Sequence, residues 1–214
     1  MAVLTQKNIL ERIKDGSLSF QPGLDRFQLQ AHAVDLRLGF TFLIPKPWRV
    51  TSRGREAIQM DYFNSKRPDY FDVLELEQGQ YFDLLPGEHV LVSTLESIKI
   101  GGDLMAVMYP RSSTNRKGIS VELTGIVDSG YEGQLTIPVR NNTNSQIIRL
   151  YPGERFCQIV LEKLDTAVAA KPSRYHRKDI IEGVLVAGKT GEQQEIKLVT
   201  AGDIKTLKSK YAIG

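Results

Sequence analysis

Two neighbouring stretches concentrate residues able to do chemistry. In Tyr109-Pro-Arg-Ser-Ser-Thr-Asn-Arg-Lys-Gly-Ile119, two arginines and several hydroxyls fall within six residues. Such a set offers charge-assisted donors matched to phosphate oxygens, so polyphosphate is the ligand it suits. In Thr124-Gly-Ile-Val-Asp-Ser-Gly-Tyr-Glu-Gly-Gln134, Asp128 follows an apolar triplet and precedes Ser-Gly. Its carboxylate is expected to emerge where a strand meets a turn, placed to orient or deprotonate a water. Tyr131 adds an aromatic face able to pack on a sugar while its hydroxyl is held elsewhere.

Other chemistry is less well supported. Gly183-Val-Leu-Val-Ala-Gly-Lys-Thr190 matches the phosphate-cradling pattern G-x-x-x-x-G-K-[ST] literally. The residues between its glycines are apolar and β-prone, Gly191 falls where a helix would begin, and Glu192 to Val199 reads as a returning strand. A β-hairpin turning at Gly188 to Gly191 is therefore expected. His32, His89 and His176 lack ligand spacing, which disfavours a zinc site. Cys157, the single cysteine, lies between Phe156 and Gln158 in an apolar strand and reads as packing, not as a nucleophile.

The elements that must carry these residues are mostly strands. Thr5 can cap a short helix with Ile9, Leu10 and Ile13 at helical spacing and Gly16 placed to end it. After it come short runs rich in Val, Ile, Leu, Phe and Tyr, divided by Pro-Gly, Gly-Gly, Asn-Asn and Ser-Gly. Asp83 to Glu96 and Arg149 to Glu162 match at six of fourteen positions, and each opens with a Pro-Gly-Glu suited to a type II turn. Trp48 to Tyr70 turns polar and reads as an excursion from the sheet. Ile204, Leu207 and Tyr211 share one face of a short terminal helix.

The whole chain sets further bounds. Its 214 residues, 41% apolar, supply one sizeable core. A net charge of +3 (28 basic against 25 acidic residues), with the signs interspersed, argues against a nucleic-acid partner. One cysteine permits no internal disulfide, and no 18-residue apolar run or apolar leader occurs, so the expectation is a cytoplasmic protein with no membrane partner.

Four ordered segments then resemble the motifs of the trimeric dUTPase and dCTP deaminase superfamily: Ala33-Val-Asp-Leu-Arg-Leu-Gly39, Pro110-Arg-Ser-Ser113, Gly125 to Leu135, and Pro152-Gly-Glu-Arg-Phe-Cys-Gln158. The N-terminal helix, the form of the first motif and Arg-Ser-Ser-x-x-Arg are similar to the deaminase branch, including its bifunctional deaminase-dUTPase members. The resemblance implies an all-β fold, a distorted jelly roll or β-clip barrel, with short accessory helices at the two termini. Residues 1–164 would form the nucleotide-binding domain and 165–214 a C-terminal extension, a lid or hairpin plus a short helix, packed on it. It also implies a homotrimer with sites between subunits and a deoxypyrimidine nucleoside triphosphate as ligand. By this likeness Arg111, Ser112, Ser113, Arg116 and Gln158 would bind phosphates, Asp128 would activate water, Tyr131 would pack on deoxyribose, and the backbone of Gly125, Ile126 and Val127 would read the pyrimidine. Mg²⁺ would be held chiefly by the phosphates.

The deaminase branch carries a glutamate in the strand after its third motif, and Pro138 stands at that position here. Alternation sends Leu135, Ile137 and Val139 to one face and Gln134, Thr136 and Pro138 to the other, so no one-residue slip supplies a carboxylate. Glu122 and Glu132 would need a rearranged loop. The expected activity is hydrolysis of dUTP to dUMP and diphosphate, with dCTP deaminase or a bifunctional enzyme as one alternative and a noncatalytic nucleotide-binding trimer as another. dUTPases end in a Gly-rich arm bearing a Phe over the base, whereas the last Phe here is Phe156. Ser173 to Lys178 could serve as a lid or be a solvated basic loop.

Overall fold

The computed structural model describes residues 2–59, 61, 70–122, 125–169 and 190–213, with 190–192 as backbone only. The chain divides into two compact units, residues 1–45 with 71–183 and residues 46–70 with 184–214. The first is the all-β fold expected. Its main sheet runs β10 (Ile119–Val121), β12 (Glu132–Asn141), β8 (His89–Ile100), β3 (Val34–Pro45), β14 (Arg155–Lys163), β9 (Leu104–Pro110) and β11 (Ile126–Val127). Short β1 (Ala2–Val3), β2 (Leu18–Gln21) and β6 (Phe71–Glu75) pair antiparallel with β14, β8 and β3. Every pairing in the sheet is antiparallel, and the apolar residues of β12 and β8 alternate inward, as period-two patterning requires. The core gathers Ile9, Leu36, Phe42, Val92, Ile137 and Ile159, with Phe42 stacked on Phe82.

The two Pro-Gly-Glu segments fold alike. Each is strand, turn, strand: β7 (Phe82–Leu84) into β8, and β13 (Ile148–Leu150) into β14. In each turn the glutamate N–H closes on the residue three before it (Glu88 to Leu85, Glu154 to Tyr151, both 3.0 Å), and its carboxylate accepts that residue's N–H in return. Gly87 and Gly153 take the positive φ a type II turn demands (72° and 89°). β7 and β13 pair with each other, and the Asp83 carboxylate accepts two hydrogen bonds from Arg149 across that pair.

Helix α1 (Gln6–Lys14) begins after Thr5 and ends before Gly16 (φ 79°); Ile9 is buried but Leu10 faces outward. In the second unit β4 (Trp48–Thr51) and β5 (Gly54–Ala57) form a separate hairpin, with Arg55 over the Trp48 ring. The expected returning strand at Glu192 to Val199 is instead helical. A helix spans Thr190–Thr200, because Glu, Gln, Lys and Leu favour helix and Ile196 and Val199 recur at three-residue spacing. Gly202 (φ 72°) closes it, its N–H reaching Val199 while Asp203 N–H reaches Leu198, and Asp203 then caps a second helix, Ile204–Lys210. Gly183 to Lys189 and Ser173 to Lys178 lie outside the described residues. No helix among those described is long and apolar enough to cross a membrane.

Candidate active site

Three of the four motif segments meet on adjacent strands. Gln158 of β14 stands opposite Asp35 of β3 on one side and Tyr109 of β9 on the other, so these side chains share a face. β9 ends at Pro110, Arg111 is extended, and residues Ser112–Asn115 make one helical turn, α2, whose N–H groups at Thr114 and Asn115 close on the Arg111 carbonyl. Ser112, Ser113 and Arg116 are exposed on this turn, while Thr114 is buried beneath it. Gln158 is half-buried with its amide facing the Pro110 carbonyl at 3.5 Å.

Asp35 fixes the cations of this cradle. Only 2% exposed, its Oδ2 lies 3.1 Å from Arg111 Nε and 3.0 Å from Arg155 Nη1. Arg111 also donates to the Arg155 carbonyl at 2.9 Å, and Arg155 to the Phe27 carbonyl. Burial pushes the Asp35 carboxyl above its ordinary value, and Arg111 and Arg155 pull it back. The first and fourth motif segments interlock as well, through Gly153 N–H to Leu38 O (2.7 Å) and Leu38 N–H to Glu154 O (2.8 Å). Asp35 and Arg155 fall within the first and fourth motif segments, but their ion pairs carry no local sequence signal, since the partners lie 76 and 120 residues from Asp35.

The third motif segment sits elsewhere on the chain. β11 is the terminal strand of the sheet path, pairing Ile126 with Val107 and Val127 with Ala106 of β9, and Gly125 O accepts Met108 N–H. Ile126 is exposed and Val127 buried. Asp128 is exposed at the first position of a turn closed by Tyr131 N–H to Asp128 O, with Gly130 at φ 76°. Tyr131 is largely buried, its hydroxyl donates to Gln134 O at 2.6 Å, and burial raises it to about 12. By the β9 register Asp128 is level with Met105, six residues from Arg111, or about 20 Å of extended strand. Within one chain the carboxylate and the arginine cradle therefore do not meet.

Pro138 is half-buried on the face of β12 that carries Gln134 and Thr136, as the alternation predicts. Its missing N–H falls on the side of β10, where Glu122 N–H donates to Pro138 O without reciprocation and the ladder ends. Since Val121 pairs with Val139, Glu122 stands directly opposite Pro138, and opposed residues project to the same face with Cβ atoms about 5 Å apart. No rearranged loop is needed to bring that carboxylate beside position 138. Cys157 is fully buried and burial holds its thiol well up, in keeping with packing. No three acidic, thiol or imidazole groups converge on a metal position among the described residues.

The model of the family described as dCTP deaminase-like matches residues 3–164. The chain belongs to that family. It is 39% identical to the protein named "dCTP deaminase, dUMP-forming" of Dictyoglomus turgidum, over 82% of this chain and 90% of that one. A protein of the same name from Methanosphaera stadtmanae is 34% identical over 84% and 87% of the two chains. Among solved structures, the 2'-deoxycytidine 5'-triphosphate deaminase of Agrobacterium tumefaciens superposes with a TM-score of 0.56 at 23% identity, covering 74% of this chain and about half (48%) of that one, a likeness of fold. The chain is thus a nucleotide-processing enzyme of the dUTPase and dCTP deaminase superfamily.

Proposed function

We propose that the chain hydrolyses a deoxypyrimidine nucleoside triphosphate, dUTP, to dUMP and diphosphate at sites between subunits of a homotrimer. The observation that carries this reading is the separation of two complementary half-sites on one chain: exposed Asp128 lies about 20 Å along β9 from the Arg111 cradle. A neighbouring copy brings the Asp128 of one subunit to the arginines of another. Asp128 accepts a proton from water as its oxygen attacks the α-phosphorus, and the bridging oxygen leaves with diphosphate. Arg111, Arg116, Ser112, Ser113 and Gln158 bind the phosphates and take up the charge that develops on them. Tyr131 packs under the deoxyribose, and the free edge of Gly125, Ile126 and Val127 reads the pyrimidine. Mg²⁺ would be held chiefly by the triphosphate oxygens and would supply charge neutralisation there, leaving the Asp128 carboxylate to act on water. Hydrolysis of this kind also accords with the dUMP-forming names of the relatives.

A second reading, dCTP deamination coupled to the same hydrolysis, is favoured by the relatives' names and by Glu122, which stands opposite Pro138 where a proton-shuttling carboxyl is needed. One assay separates the two. Purified protein with Mg²⁺ and dUTP, dCTP or dTTP is followed for diphosphate and ammonia independently. The dUTP reading expects diphosphate from dUTP and no ammonia from dCTP. Ammonia from dCTP that disappears in Glu122→Gln would establish the second reading; binding without either product would leave a noncatalytic binder.

A further inference from the structure

Strand β3 leaves strand β8 just where the cradle begins. Their register pairs Leu38 with Thr94 and would set Leu36 against Glu96, yet at Asp35 to Arg37 side chains replace the β8 backbone. Glu96 Oε2 accepts the Arg37 N–H at 3.0 Å, and Glu96 Oε1 accepts Gln28 Nε2 at 2.7 Å. The same Gln28 amide nitrogen donates to the Asp35 carbonyl at 3.0 Å, and the Gln28 carbonyl accepts the Asp35 N–H at 2.8 Å. Gln28 Oε1 is itself held by the Asp25 N–H at 3.1 Å, which fixes the amide's orientation. Glu96 is 1% exposed and Gln28 2%. A buried carboxylate survives when each of its oxygens is matched by a donor, and a buried polar network that is fully satisfied specifies one backbone position.

We propose that Glu96, acting through Gln28, is a positioning residue of the triphosphate site: it holds Asp35, and through Asp35 sets Arg111 and Arg155. This inference rests on the nucleotide reading above. Glu96→Gln keeps the shape but turns one acceptor into a donor, which then confronts either the Arg37 N–H or the Gln28 amide nitrogen. β3 shifts at Asp35 and both arginines move with it, so phosphate binding weakens while nucleoside contacts do not.

The test measures binding of dUMP and of α,β-imido-dUTP to the full chain and to Glu96→Gln, Gln28→Met and Asp35→Asn. Expected is a loss of about tenfold for the triphosphate analogue, with dUMP unchanged within twofold, in all three variants. The double variant Glu96→Gln/Asp35→Asn loses no more than the worse single one, because the two act in series. Hydrogen exchange at the Arg37 amide accelerates in Glu96→Gln. A role in stability alone would lower the melting temperature and leave the ratio of the two affinities untouched. Triphosphate binding within twofold of the parent chain in both folded Glu96→Gln and Gln28→Met overturns the inference with the nucleotide reading intact; a parent chain that binds no analogue overturns both.

Discussion

Asp128 and Tyr131 belong to one turn and have opposite environments. Asp128 is exposed and free to meet solvent, whereas Tyr131 is buried with its hydroxyl committed to Gln134 O. Asp128→Asn should lower diphosphate release by at least about a hundredfold and leave nucleotide binding detectable, because it removes the proton acceptor and keeps the shape. Full activity in that variant would remove the proposed base. Tyr131 gives a pH signature. Its phenol moves from 10.0 to about 12 on folding through burial, so the folded state resists ionisation. Its stabilising contribution is complete below pH 10 and is lost as pH rises toward about 12. A melting series between those values should show a decline that is smaller in Tyr131→Phe, and phenolate absorbance of the parent chain should show a late-titrating component that is missing from Tyr131→Phe.

The elements show two different uses of glycine. Gly153 adopts φ +89° in the second Pro-Gly-Glu turn with nothing within 4 Å of an added Cβ, so Gly153→Ala should cost only the conformational term, about 1 kcal/mol. Gly39 lies in the irregular stretch of β3 beside β8, where a Cβ would come 2.1 Å from Ser93 Oγ and 2.8 Å from Thr94 O. Gly39→Ala should cost about 3 kcal/mol or more, since backbone must move. Denaturant titration of both variants checks the order; equal losses would contradict the close approach. The turns and alternating strands were legible in the sequence because their chemistry is local: Pro-Gly-Glu specifies its turn twice, and residues 134–139 alternate as read. The helix at Thr190–Thr200 was misread because Ile196, Leu198 and Val199 satisfy either period over so short a run. The supports of the site were invisible for a different reason. Gln28 and Glu96 are 68 residues apart, and only the register of β3 against β8 makes them neighbours. Glu122 likewise needed the β10–β12 register to appear beside Pro138.

At the scale of the whole molecule, the sheet that buries the core also divides the chemistry. β9 carries the arginine cradle at one end and supports the Asp128 turn near the other. The four motif segments are read in order along the chain and their resemblance implies sites between subunits, but the distance of about 20 Å between Asp128 and Arg111 along one strand comes only from the register of β9 against β11. On the proposed reading activity is a property of the assembly, each half-site requiring a partner copy. Subunit complementation tests this most directly. Asp128→Asn and Arg111→Ala chains, each inactive alone, are co-expressed, purified as mixed oligomers and assayed for diphosphate release from dUTP. With random assembly, one interface in four pairs an intact Asp128 with an intact Arg111, so activity should return to about a quarter of the parent enzyme's. Mixed oligomers that form and remain as inactive as either variant alone would contradict a site shared between subunits.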